Sequence, residues 1–246
     1  MKWVVLAALL LSLFLNTAMP LCVRAQDPGK EAQGSKVVRV GWYDSTYNTI
    51  DEYGRRSGYA YEYQLKLSAY SGWTYEYVAG SWSDLLHMLE NGEIDLMSDV
   101  SYTPEREKKM MFPSLPMGIE DYYIFTAPGN DTISRKDPAT LNGKRVGVNK
   151  DSIQADFYVN WEKDNDVHAE IIELTTPESE SLQMLEDGAL DAYITVDSFT
   201  DATQAIPVFK IGSSEYYFAV SNSRPDLMVE LNAALARIQE ENRYYN

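Results

Sequence analysis

The chain has 246 residues, with 37 acidic and 21 basic side chains and a formal net charge of −16. So acidic a protein repels phosphate backbones and anionic lipid headgroups, which argues against nucleic acid as a partner. The single cysteine, Cys22, lies near the N-terminus, so the rest of the chain has no thiol for a disulfide, a metal ligand or a nucleophile.

The first 25 residues have the features of a secretory signal peptide. Lys2 gives a positive start, residues 3–15 form an apolar run, and residues 23–25 form a small-residue cleavage site. The run is shorter than the roughly 20 apolar residues of a membrane-spanning helix. We therefore expect export and removal of residues 1–25, with a retained N-terminal anchor as the alternative. Residues 26–35 are polar and contain glycine and proline, which predicts a flexible leader.

From residue 36 to residue 120 the hydrophobic pattern alternates between strand and helix, which is typical of a mostly parallel sheet. The predicted elements are a strand at 36–41, a helix at 60–70, a strand at 73–78, a helix at 83–90 and a strand at 94–97. Gly72 and Gly92 are placed to end the two helices, and Ser83 is placed to cap the second helix.

The same alternation continues from residue 121 to residue 215, which predicts a second lobe. Its elements are strands at 122–126, 144–148, 169–174, 191–195 and 207–211, with helices at 152–162 and 178–186. A strand at 216–220 then returns to the first lobe, and Pro225 opens a final amphipathic helix at 226–240. The first lobe therefore comprises 36–120 and 216–246, and the chain crosses between lobes near 119–123 and 213–218.

Two motifs recur in the same order. RVG at 39–41 returns 106 residues later at 145–147, and LENGEIDL at 89–96 returns 96 residues later as LEDGALDA at 185–192. These echoes predict two similar α/β lobes that face each other across a cleft, where small ligands commonly bind. The alternative is that a helix, a glycine and a strand follow one another in any α/β protein.

Polar side chains and then Arg106 follow the strand at 94–97, in the sequence SDVSYTPER. Ligands of doubly wound sheets lie beyond the carboxyl ends of the strands, and a guanidinium group can meet both oxygens of a carboxylate. Arg106 can equally be an ordinary surface residue among charged neighbours. His87 and His168 have no neighbour at the spacing of a metal site or a catalytic triad, so we expect no metal, no cofactor and no catalytic residue.

Several motifs together closely resemble the bacterial extracellular solute-binding proteins of family 3. They are GWYDS at 41–45, LENGEIDL at 89–96, SDVSYTPERE with KMMFPSLPMG at 98–118, and GKRVGVNKDSIQ at 143–154. The resemblance extends over roughly residues 36–246. It implies the type II periplasmic-binding-protein fold, in which two doubly wound α/β lobes are joined by a two-segment hinge.

The resemblance also implies a set of ligand-binding residues. Arg106 would bind the α-carboxylate of the ligand, and Asp197 its α-ammonium group, although Asp197 falls one residue later than a gapless match would place it. The other implied contacts are the polar residues Ser98, Asp99 and Ser101, the aromatic residues Tyr43, Tyr47 and Trp82, and the helix-start residues Ser152 and Gln154. A helix start attracts anions through its free N–H groups.

Asp99 and Asp151 depart from the family pattern, which has Gly or Ser at the first position and Gly at the second. Two extra carboxylates at this cleft would repel an acidic ligand and favour a basic one, unless their side chains point to solvent.

The function implied is that of an exported protein that closes two lobes over a small polar solute, an amino acid first of all. Its partner would be a membrane permease, in uptake by an ABC-type transporter. Alternatively the chain is the extracytoplasmic sensor domain of a diguanylate cyclase or histidine kinase, which KMMFPSLPMGIEDYYIF also resembles. A dehydratase-like enzyme on the same fold is a second alternative. Family members continue past a Tyr-Tyr-Asn-like ending, so we expect residue 246 to precede the natural C-terminus.

Overall fold

The computed structural model describes residues 35–197 and 205–245, and side chains up to residue 241. The predicted signal peptide and all of the leader except Ser35 lie outside the described residues. The strands are β1 (Val37–Trp42), β2 (Thr49–Ile50), β3 (Arg56–Ser57), β4 (Thr74–Ala79), β5 (Leu96–Ser101), β6 (Met110–Met111), β7 (Gly118–Thr126), β8 (Arg145–Asn149), β9 (Glu170–Leu174), β10 (Ala192–Val196) and β11 (Ile206–Ser221). The helices are α1 (Tyr59–Ser71), α2 (Trp82–Asn91), α3 (Pro104–Glu107), α4 (Ile153–Asp164), α5 (Glu178–Glu186) and α6 (Pro225–Tyr245), with a short 3₁₀ turn at Pro138–Leu141.

The described residues form a nine-stranded sheet in the order β4-β1-β5-β11-β7-β10-β8-β9, with β6 paired to β11, and a separate two-stranded sheet of β2 and β3. Strands β4, β1 and β5 are parallel to one another, and so are β10, β8 and β9. Helices connect the parallel strands in both halves, as βαβ units require. The two-lobed, doubly wound α/β fold implied by the sequence is therefore confirmed.

Strands β7 and β11 carry the chain between the two halves. They pair antiparallel from Gly118 opposite Tyr216 to Thr126 opposite Ile206. Strand β11 also pairs with β5 of the first half, and β7 pairs with β10 of the second. These two strands are the crossing segments predicted near 119–123 and 213–218.

Several boundaries differ from the sequence prediction, and the clearest differences concern β11, β5 and the cap of α2. The strands expected at 207–211 and 216–220 are one 16-residue strand, because the polar residues between them stay paired with β7 through two register shifts. Strand β5 begins at Leu96 and continues through Ser101, so Ser98 lies within a strand rather than beyond it. Ser81, not Ser83, caps α2, because the Ser81 side chain accepts the Asp84 N–H at 3.2 Å.

Two glycines end helices as expected. Gly72 after α1 and Gly92 after α2 have φ of 74° and 77°, a left-handed conformation that glycine adopts without steric cost. The final helix packs with the first half, since Leu227 and Leu231 are buried in the same apolar cluster as Val38 and Leu67. No helix in the described ranges is long and apolar enough to cross a membrane.

The two repeated motifs supply the two partners of an ion pair, and each half of the structure contains one such pair. Arg39 donates its main-chain N–H to Asp95 at 2.8 Å, and its Nη2 lies 2.6 Å from the Asp95 Oδ1. Arg145 donates to Asp191 in the same way, with main-chain and Nη2 distances of 2.8 and 3.1 Å. Each pair joins the first strand of its half to the residue just before a neighbouring strand, so the repeated motifs are one structural unit built twice.

We expect Asp95→Ala to lower the free energy of unfolding by about 3 kcal/mol, the scale for breaking a buried ion pair. Asp95 is 2% exposed and also lies 3.1 Å from Arg224, so its loss removes a buried carboxylate that two arginines share, although Arg39 keeps its main-chain acceptors and Arg224 keeps Asp226. Asp191→Ala is the matched control: this side chain is 27% exposed and pairs with Arg145 alone, so about 1 kcal/mol is expected. Urea unfolding measures both values, and equal losses would contradict the assignment.

Candidate functional site

A cavity lies where the carboxyl ends of parallel strands from both halves of the sheet meet. Gly41 of β1 and Ser101 of β5 line it from the first half, and Asn149 of β8 and Val196 of β10 line it from the second. Its empty volume is about 620 Å³, counting the space open to solvent. This position is the general ligand site of doubly wound sheets.

The structure brings eight of the ten predicted contact residues to this cavity. From the first half these are Tyr43, Tyr47, Trp82, Ser98, Asp99 and Ser101. From the second half they are Ser152 and Gln154, at the start of α4. The rings of Tyr43 and Trp82 pack edge to face with centroids 5.9 Å apart, so the wall here is rigid and aromatic.

Arg106 lies next to the cavity and bridges the two halves. Its Nη1 donates to the main-chain carbonyl of Ser101 at 2.8 Å, and its Nη2 donates to the carbonyl of Asp151 at 2.9 Å. Thr103 caps the short helix that carries it, accepting the Arg106 N–H at 3.1 Å. The guanidinium group therefore spans the cleft, although it is not among the side chains that line the cavity.

Asp197, the residue expected to bind the α-ammonium group, is not among the residues that line the cavity. It is exposed, and it exchanges two hydrogen bonds with Asp121: its N–H donates to the Asp121 carbonyl at 2.8 Å, and its Oδ1 accepts the Asp121 N–H at 3.1 Å. Strand β10 continues to Val196, one residue beyond the predicted end, so that Asp197 falls in the turn after the strand.

The cavity also contains acids and amides that the sequence analysis did not single out. They are Asn48 on the loop after β1, Glu120 on the crossing strand β7, Asn149 at the end of β8 and Glu178 at the start of α5. Glu120 offered one sequence signal, because it and Asp121 are two adjacent acids in the predicted crossing segment at 119–123. Asn149 follows the predicted strand at 144–148 within the motif GKRVGVNKDSIQ, whereas Asn48 and Glu178 lie in polar stretches with no distinguishing pattern.

Glu120 is buried at the centre of a hydroxyl network. Its Oε1 accepts from the hydroxyl of Tyr122 at 2.6 Å and from Ser101 at 3.4 Å, and its Oε2 accepts from Tyr47 at 3.3 Å. Burial outweighs these hydrogen bonds and raises the pKa of Glu120 to about 7.

Asp99 has a left-handed backbone with φ of 63°, a conformation that glycine and aspartate tolerate better than most residues. Its carboxyl group faces the cavity, where Oδ2 accepts from Asn48 Nδ2 at 3.1 Å and from Ser98 Oγ at 3.0 Å. Burial, with a smaller contribution from Glu120, raises the pKa of Asp99 to about 7. The first family departure therefore places an acid inside the cleft rather than in solvent.

Asp151, the second departure, also has a positive φ, of 58°. Its half-exposed carboxylate accepts a hydrogen bond from the Ser83 hydroxyl of the opposite half. On the other side of the cleft, Glu178 Oε2 accepts the Thr46 N–H at 2.8 Å. These contacts, together with Arg106, hold the two halves against each other around the cavity.

Five buried polar atoms of the cavity residues have no hydrogen-bond partner among the described residues. They are the side-chain oxygens Asn48 Oδ1, Asp99 Oδ1, Asn149 Oδ1 and Ser152 Oγ and the indole nitrogen Trp82 Nε1. Unpaired buried polar atoms are rare and reduce stability. Here both halves contribute such atoms to one cavity, as a site for a polar ligand requires. Within the described ranges no three His, Cys, Asp or Glu side chains are grouped to hold a metal ion.

Comparison with known proteins gives one consistent result. The family model for bacterial extracellular solute-binding proteins, family 3, matches residues 38–246. The chain is similar to the L-cystine-binding protein TcyK of Bacillus subtilis (strain 168), with 26% identity over 239 residues, covering 92% of this chain and 88% of TcyK.

Solved structures share the fold at lower identity. An ancestral arginine-binding protein bound to arginine has a TM-score of 0.71 and 23% identity, covering 85% of this chain and 94% of that one. A histidine kinase sensor domain with similarity to periplasmic binding proteins has a TM-score of 0.69 and 21% identity, covering 86% and 93%.

The stability of the ligand-free protein is expected to fall as the pH rises from 5 to 7. Asp99 and Glu120 ionise near pH 7 when folded and near pH 4 when unfolded, so over this range the folded state binds more protons. Each such carboxyl group costs up to about 1.4 kcal/mol per pH unit. Thermal melts of the wild type and of Asp99→Asn/Glu120→Gln test this, and the double variant should show the smaller slope. Parallel slopes would contradict the raised pKa values.

Proposed function

Because the chain belongs to the bacterial extracellular solute-binding proteins, family 3, we propose that it captures a small polar solute, an amino acid first of all, outside the cytoplasmic membrane. The observation that carries this proposal is the cavity between the halves, with its unpaired polar atoms contributed by both. TcyK is named for L-cystine, and the ancestral structural neighbour holds arginine, which supports a ligand of amino-acid size.

In this proposal the acidic group of the solute lies between Arg106 and the start of α4. Arg106 uses two hydrogen bonds, to Ser101 and Asp151, and a guanidinium group has five N–H donors. Ser152 brings an unpaired hydroxyl oxygen and the free N–H groups of the first turn of α4, an arrangement that favours anions. Arg106 and α4 belong to opposite halves, so a carboxylate held by both would draw the halves together.

On closure the two halves would rotate about the paired strands β7 and β11, which are the described connections between them. Two strand connections allow opening and closing more readily than other motions. A solute that contacts both halves binds the closed state more tightly and shifts the equilibrium toward it. A membrane partner could then distinguish the liganded from the ligand-free protein by its shape.

The partner we favour is the permease of an ABC-type transporter. The chain is 24% identical over 225 residues to a protein of Vibrio harveyi named as a putative amino-acid ABC transporter-binding protein, which supports this choice. The second candidate is a sensor module, which the likeness to a histidine kinase sensor domain favours. The gene distinguishes them: a reading frame that continues into a membrane span and a signalling domain supports the sensor, and neighbouring permease genes support uptake.

A thermal-shift screen of amino acids against the purified protein tests the proposed function. A solute at 100 times its dissociation constant should add about 2.7 kcal/mol of stability. We expect Arg106→Ala to abolish that gain and Arg135→Ala, which removes an exposed arginine, to preserve it. The ligand-free melt of Arg106→Ala serves as the folding control. An undiminished gain in Arg106→Ala would remove this residue from the site.

A further inference from the structure

We propose that the solute carries a net positive charge and that its cationic group is held by Asp99 and Glu120 with the help of Asn48. This inference rests on the proposed function and specifies the class of solute that the same cavity takes. It assigns the cation site to residues of β5 and β7, not to Asp197.

The charges around the cavity have one sign. Three carboxyl groups line it, those of Asp99, Glu120 and Glu178, and among the described residues no Lys, Arg or His does. Arg106 is close enough to interact with Glu120, but two of its N–H groups are directed to main-chain carbonyls. If the solute carried no excess positive charge, the negative charges of these carboxylates would have no counter-charge in the cavity.

The free hydrogen-bonding capacity beside Asp99 consists of acceptors. Asp99 Oδ1 and Asn48 Oδ1 are both buried without a partner among the described residues, and Asn48 is 3% exposed. When Asp99 is charged, these two unpaired acceptors on hydrogen-bonded side chains favour a ligand group that only donates. Ammonium and guanidinium groups are such donors, whereas carboxylates are not.

Glu120 and Glu178 differ in what they can offer a cation. Both Glu178 oxygens already accept hydrogen bonds. Oε2 accepts from the Thr46 N–H of the first half, and Oε1 accepts from Thr195 Oγ1 of the second half. Glu120 accepts only from neutral hydroxyl groups and interacts electrostatically with Asp99. The second negative charge of the cation site is therefore that of Glu120.

Aromatic rings complete the enclosure. Tyr47 lines the cavity and packs on Tyr216 with ring centroids 5.3 Å apart. Tyr43 and Trp82 line it further along. Aromatic faces stabilise organic cations and exclude the water that would weaken their pairing with carboxylates.

Capture of a cation at this site must also displace protons. Ligand-free Asp99 and Glu120 are each about half protonated at pH 7, and a bound cation favours their charged forms. The other titratable and charged groups that act on them are Tyr47, Tyr59, Tyr122, Tyr216, Arg106 and Asp197. The pKa values of Tyr59, Tyr122 and Tyr216 are raised, mainly by burial, so these phenols stay neutral around pH 7.

Matched solutes that differ only in charge test the proposal. The probes are arginine with citrulline, and agmatine with N-carbamoylputrescine, each pair exchanging a guanidinium for a neutral urea group, alongside the other standard amino acids and cystine. In calorimetric titrations we expect a guanidinium member to bind at least about tenfold more tightly than its urea partner. Equal binding within the pairs, or binding of neutral or acidic amino acids only, would overturn the charge assignment while leaving the proposed function intact. Binding of no solute in the panel would count against both.

Variants and pH locate the cationic group. Asp99→Asn and Glu120→Gln should each weaken binding of the guanidinium probe at least about tenfold, whereas the exposed controls Asp131→Asn and Glu62→Gln should not. Both site variants remove a buried charge, so they are expected to fold at least as well as the wild type. Affinity should increase from pH 6 to pH 8, with release of up to about one proton at pH 7. Wild-type affinity in the two site variants, or binding without proton release, would overturn the assignment.

Discussion

The antiparallel pairing of β7 with β11 is the constraint on which the rest of this structure depends. The parallel strands of each half pair with one another, and these crossing strands place the carboxyl ends of β1 and β5 opposite those of β8 and β10. The cavity lies at that meeting point. Glu120 lies on one of the crossing strands, so the same pairing that joins the halves also brings an acid into the cavity wall.

The cleft concentrates features that cost stability in the ligand-free protein. Burial raises the pKa values of Asp99 and Glu120 to about 7, with a smaller contribution of Glu120 to the pKa of Asp99, and five polar atoms have no partner among the described residues. Asp99 and Asp151, the two departures from the family pattern, both occupy left-handed backbone positions. Strain and unpaired polarity of this kind persist where the surrounding structure enforces them, and they mark binding sites.

The hydrophobic pattern predicted most of the fold because each parallel strand is a short apolar run beside a capped helix. The echoes RVG and LENGEIDL also predicted the duplication, since both motifs serve one ion pair, Arg39 with Asp95 and Arg145 with Asp191. Strand continuity was less predictable. The polar residues between Ile211 and Tyr216 predicted a break in the strand, but their pairing with β7 makes β11 continuous.

The sequence by itself determined the alternation of strands and helices, the duplication and eight of the residues around the cavity, because these follow from local periodicity and from family motifs. Only the tertiary structure decided which acids enter the cleft. Glu120 and Asn48 are far apart along the chain from Asp99, and their side chains converge only when the loop after β1 and the crossing strand meet the end of β5. Only the tertiary structure pairs Asp197 with Asp121 of β7, in the turn after β10 and outside the set of residues that line the cavity.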